Sequence, residues 1–161
     1  MQRSIEVASV RKTVTVKAGQ ERAFEVFAAC RWWQKEHSIL ASGSPQKEVI
    51  IEPRVGGRWF ERGEDRSECL WGEVLAWDPP NRMVLGWQIN GNFQFDPNAV
   101  SEVEVRFIPE GDDTTRVELE HRHLERFGET AAALRAALDS PQGWSTSITR
   151  FAELTGLETS S

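Results

Sequence analysis

Tyrosine is absent from the 161-residue chain, although seven Trp and eight Phe are present. Any mechanism that relies on a phenol as acid, base or nucleophile is therefore excluded. Cysteine is scarce: Cys30 and Cys69 stand apart, form no Cys-x-x-Cys pair and have no neighbouring His in sequence. They read as reduced thiols, not as nucleophiles or metal ligands. Basic clusters are missing too. No Lys/Arg run exceeds a dipeptide, and 19 basic against 25 acidic residues leave a net charge of −6. That argues against a nucleic-acid partner. No apolar stretch approaches the roughly 20 residues that cross a bilayer. The opening Met1-Gln2-Arg3-Ser4-Ile5-Glu6 lacks the apolar centre of a signal peptide. The expectation is a cytoplasmic protein with no membrane partner.

Catalytic and cofactor signatures are equally lacking. No G-x-S-x-G, H-E-x-x-H or G-x-G-x-x-G occurs, and Gly56-Gly57 has neither the spacing nor the lysine of a phosphate loop. That glycine pair reads as a strand bulge or turn. No cofactor and no metal site is expected. His121-x-His123 offers two imidazoles, but a third ligand would have to be His37 or a carboxylate.

What remains is ordinary globular material, 39% hydrophobic and 27% charged, enough for one domain with its own core. Residues 9–156 carry the pattern of that domain, and 1–8 and 157–161 read as loose ends. Val10 to Val16 is Val/Thr-rich and predicts a strand. Ala23, Phe24, Val26 and Phe27 make an apolar helical stripe over 20–29, with another helical turn or two around Trp32-Trp33. A period of two then takes over. Strands are predicted at Val49–Ile51, Arg58–Glu61, Cys69–Trp77, Met83–Ile89, Val103–Phe107 and Val117–Arg122. Turns are predicted at Asp78-Pro79-Pro80-Asn81 and Gly111-Asp112-Asp113. Glu102, Glu104, Glu118 and Glu120 occupy the alternate positions and read as one solvated sheet face, so the sheet is antiparallel.

Helix returns at Glu129–Leu138, and Ser140-Pro141 then starts a longer helix that Gly156 should end. Trp144, Ile148, Phe151 and Leu154 share one face of it. Burying each contributes about 1.5–3 kcal/mol, so the helix must lie on the apolar face of the sheet. The fold class is α+β: a curved antiparallel sheet of six to seven strands around a long C-terminal helix, with a helical hairpin after the first strand. Such a sheet cannot fill all the space beneath it, and a cavity results.

The order of elements, with Ala23-Phe24-Glu25-Val26-Phe27, Val55-Gly56-Gly57-Arg58-Trp59, the stretch from Gly72 to Trp87, Thr115 to His121, and Gly143-Trp144, resembles the START-like or Bet v 1-like helix-grip superfamily (SRPBCC). Within it, the chain is similar to bacterial proteins related to the C-terminal domain of the activator of heat-shock protein 90 ATPase. The resemblance implies a cavity between sheet and C-terminal helix, used by relatives for hydrophobic small molecules and in a few cases for cyclisation, hydrolysis or protection. It also implies a heat-shock chaperone as a possible partner. The eukaryotic co-chaperone carries an additional N-terminal domain for which this chain leaves no room, and that argues against ATPase activation.

Three functions follow as expectations. The first is binding of a small hydrophobic molecule by Trp33, Trp59, Leu85, Trp87, Val105, Leu119, His121, Trp144, Ile148 and Phe151. Each of these also reads as plain core. The second is acid–base chemistry, with His121 on the inward face of its strand and Glu61 facing it. The alternatives are a hydrogen-bonded core histidine, and a Glu61 solvated near a strand end beside Arg58 or Arg62. The third is a chaperone-modulating protein that works through its outer surface. Trp71 and Trp77 fall out of phase with Gly72 and Val74, face outward, and would mark a dimer or partner surface. Monomer and homodimer are both open.

Overall fold

In the computed structural model, residues 8–33, 38–40 and 42–159 are described, with side chains through residue 155. The strands are β1 (Val10–Val16), β2 (Gln46–Ile51), β3 (Arg58–Gly63), β4 (Glu68–Asp78), β5 (Arg82–Trp87), β6 (Ser101–Gly111) and β7 (Thr114–Arg122). All pair antiparallel in one curled sheet of order β1-β7-β6-β5-β4-β3-β2. The first strand therefore crosses over to join the last, and the middle of the chain runs as a meander. Helix α1 (Gln20–Ala28) follows β1, and α2 (Ala131–Asp139) and α3 (Thr146–Thr159) close the chain. The second arm of the expected helical hairpin falls partly on residues 34–37, outside the described residues.

The core lies between the inner sheet face and the helices. Phe24 and Phe27 of α1 pack on Phe107 of β6, and Phe27 meets Phe151 of α3 edge-on at 5.3 Å. Val103, Val105, Val117 and Leu119 are buried from the sheet side. Their alternation with charged neighbours put them there.

Three expectations are corrected. Trp71 is 2% exposed, not on the outer surface. On β3, Phe60 pairs with Leu70 and Trp59 with Gly72, so Trp71 is an extra residue on β4. A bulge of this kind re-aims its side chain, and simple alternation fails across it. A second shift leaves Leu75 without a partner on β5, and Trp77 turns to rest edge-on against Phe24 at 5.0 Å, half-buried. Second, Glu104 is 6% exposed and not solvated, because Arg82, Arg106 and Arg122 close over it. Third, the C-terminal helix does not begin at Pro141 or stop at Gly156. Pro141–Ser145 is a wide turn in which Gly143 leaves helical geometry, and α3 begins at Thr146 and runs through Gly156 to Thr159. A Cβ on Gly143 would lie 2.2 Å from the Leu138 carbonyl oxygen, so only glycine permits this approach of the turn to α2.

Candidate ligand cavity

Four indoles from four separate segments meet at one end of the core. Trp33 follows α1, Trp71 and Trp87 come from β4 and β5, and Trp144 lies in the turn before α3. Trp33 stands at the centre, with ring centroids 4.5 Å from Trp71, 6.0 Å from Trp87 and 6.2 Å from Trp144. Beside them is a cavity of about 250 Å³, bounded on the far side by Leu134, Ala137 and Leu138 of α2. Ile39, Ile89 and Phe93 form its rim, and Ser140, Gln142 and Ser147 supply its polar edge.

Three of the four indoles are held by their N–H groups. Trp87 donates to the Ile89 carbonyl at 2.7 Å, Trp71 to Glu61 at 3.1 Å and Trp144 to Nδ1 of His121 at 3.1 Å. The Trp33 N–H is buried with no hydrogen-bond partner among the described residues. A buried donor left open in this way is uncommon.

His121 is fully buried on β7, under Trp87 and Trp144. An indole N–H can only donate, so Nδ1 is the acceptor and Nε2 carries the proton. Nε2 then donates to Oγ of Ser101 at 2.9 Å, and that hydroxyl donates in turn to the Trp87 carbonyl at 2.9 Å. Both ring nitrogens are engaged. Burial pushes the imidazole pKa down to about 3, so the ring is neutral at ordinary pH. His121 thus orients two cavity walls, Trp144 directly and Trp87 through Ser101.

Glu61 is also fully buried, away from Arg58 and Arg62, which pair with Glu52, Glu48 and Glu68. Its carboxylate accepts from Ser38 Oγ at 2.5 Å, the Ile39 amide at 2.9 Å, Gln46 Nε2 at 3.1 Å and the Trp71 indole. Among the described residues its hydrogen bonds and those of His121 go to different partners, with none between the two side chains. What Glu61 does is fix Ile39 and Trp71, two residues of the cavity wall. His123 parts from His121: it takes a left-handed conformation at the end of β7 and faces Glu125 at 3.5 Å. No group of three metal-binding side chains occurs among the described residues, and His37 lies outside them. The Cys30 thiol is buried, which pushes its pKa above the usual thiol range despite a contact from the Trp59 indole.

Of the residues proposed from sequence, Trp33, Trp87 and Trp144 border the cavity. Trp59, Leu85, Val105, Leu119, Ile148 and Phe151 sit in the packed core around it, and His121 is buried beside them. The α2 wall and the rim aromatic Phe93 were not anticipated. Leu134 and Leu138 carried a signal, an i,i+4 apolar pair. Phe93 carried only its oddity as an aromatic within Asn90-Gly91-Asn92 and Gln94.

A curled antiparallel sheet gripping a C-terminal helix defines a helix-grip protein, although the cavity lies against α2 and the turn before α3, not between the sheet and the C-terminal helix as expected from sequence. Residues 18–156 match the family described as activator of Hsp90 ATPase homolog 1-like protein, and the chain belongs to that family. Among solved structures it is similar to the anthrahydroquino-gamma-pyrone synthase Txn09, solved in complex with a compound designated SUM. The identity is 40% over 92% of this chain and 97% of that one, with a TM-score of 0.64. It is also similar to CalC, a self-sacrificing resistance protein from Micromonospora echinospora: 33% identity, 94% and 96% coverage, TM-score 0.68. The Mesorhizobium loti protein MLL2253 shares the fold at 16% identity, 96% and 99% coverage and TM-score 0.66. No protein with a curated description matches. Among the described residues no helix is long and apolar enough to cross a membrane.

Proposed function

We propose that this chain binds a flat, largely apolar, polycyclic small molecule in the tryptophan-walled cavity. The observation that carries the reading is the cavity itself, where four indoles converge and three are locked in place by hydrogen bonds. Rigid aromatic walls favour flat ligands, and preorganisation lowers the ordering cost of binding. One relative supports the same chemistry, the synthase named for an anthrahydroquinone-pyrone, a flat polycycle. Both ring nitrogens of His121 are engaged by Ser101 and Trp144, which favours a positioning role for it over acid–base catalysis.

Tryptophan fluorescence supplies the test, with no tyrosine to interfere. Dihydroxyanthraquinone should quench the wild type in a saturable manner. Ala137→Phe, which fills the cavity from α2, should abolish that quenching while leaving the circular dichroism of the fold intact. Equal quenching in both would place binding elsewhere. Absence of quenching in the wild type would overturn the reading and send the chain to an assay of chaperone ATPase stimulation.

A further inference from the structure

Phe93 is the exposed aromatic at the mouth of the cavity, 57% accessible and counted among its lining residues. Its backbone is left-handed, with φ of 59°. That conformation is uncommon for any residue but glycine and costly for a bulky one. Nothing about folding calls for a phenylalanine there, because the ring is not in the core.

The turn that holds it is built from other residues. The Asn90 side-chain oxygen accepts the amides of Asn92 at 2.9 Å and Gln94 at 3.2 Å, and the Phe93 amide donates to the Asn90 carbonyl at 2.9 Å. Below the turn Ile89 and Phe95 form a β-bridge. The turn is also pinned to the opposite wall. The Gly91 amide donates to Oγ1 of Thr130, the residue that precedes α2, and a Cβ on Gly91 would lie 2.4 Å from the Thr130 carbonyl oxygen. Phe93 and the α2 wall are thus set at a fixed separation, and the cavity opens between them.

We propose that Phe93 is a specificity-determining residue: its ring stacks on the outer ring of a bound flat aromatic molecule and completes the site. The inference rests on the cavity reading above. Local backbone strain and an exposed aromatic persist together where function, not stability, selects them. Contact with a ligand face also accounts for the side chain where glycine would be the better turn residue.

The test compares wild type, Phe93→Gly and Phe93→Tyr, titrated with dihydroxyanthraquinone and melted without it. Phe93→Gly relieves the left-handed backbone, so it should melt at or above the wild-type temperature yet bind roughly tenfold more weakly. Phe93→Tyr keeps the ring and should keep the affinity to within about twofold. Unchanged affinity in Phe93→Gly, with the wild type binding, would overturn the role of Phe93 and leave the cavity reading standing. A drop in affinity matched by a lower melting temperature would also overturn it, as the mark of a merely structural residue. Failure of the wild type to bind would remove the cavity reading and this inference with it.

Discussion

Two polar side chains, His121 and Glu61, lie wholly inside an aromatic core, and each is tolerated because its hydrogen bonds are complete. For His121 the consequence is a pH dependence whose sign can be worked out. Its folded pKa, about 3, lies below the ordinary 6.5, so the unfolded chain binds the proton first. Stability is therefore unaffected above about pH 6.5 and falls by about 1.4 kcal/mol per pH unit below it, until the folded pKa is reached. Glutamine can accept from Trp144 and donate to Ser101 without titrating. His121→Gln should be less stable than wild type by about 1–2 kcal/mol at neutral pH, yet should lack that slope between about pH 6.5 and 4.5. Urea unfolding at several pH values gives the difference between the two proteins. Parallel curves would show that His121 is not held neutral.

The elements were legible in the sequence wherever period and phase were unbroken. β1, β6 and β7 follow strict alternation, and Val103, Val105, Val117 and Leu119 face inward as the pattern requires. β4 was not legible in the same way, because two irregularities shift its phase against β3 and β5. Trp71 passes to the inside at the first of them, and the one local signal for that bulge was the isolated Gly72 beside it. The cavity suffered similarly: its tryptophans stood out by composition, but its α2 wall and Phe93 depend on which segments meet, a matter of long-range packing. Gly72 marks the point where the bulge is built. A Cβ there would lie 1.8 Å from the backbone oxygen of Gly86 on β5, and backbone cannot swing aside as a side chain can. Gly72→Ala should cost at least about 2 kcal/mol, and a chain of this length should melt roughly 4–8 °C lower. A melting temperature within about 1 °C of wild type would mean that the two strands are not in this close approach.

At the scale of the molecule, the sheet divides two kinds of chemistry. Its inner face is apolar and leads to the cavity, and its outer face carries an ion-pair ladder across four neighbouring strands. Arg11 of β1 meets Glu120 of β7, Arg122 of β7 reaches Glu104 of β6, and Glu104 also accepts from Arg82 of β5. Burial pushes the Glu104 carboxyl up, but the hydrogen bonds of Arg122, Arg106 and Arg82 more than reverse this and bring it down to about 2. Removing that charge leaves three guanidinium groups without their shared partner, so Glu104→Gln should cost about 2–4 kcal/mol. The substituted side chain lies on the face opposite the cavity, so affinity for neutral dihydroxyanthraquinone should change by less than about twofold. For the same reason, raising salt from about 20 to 500 mM should leave that affinity unchanged or slightly stronger, since screening acts on the exposed pairs and not on apolar contact. Urea unfolding of Glu104→Gln, with probe titrations of both proteins at the two salt levels, measures all of this. Affinity that falls with salt, or in step with the stability of Glu104→Gln, would move the binding surface from the tryptophan cavity to the charged outer face.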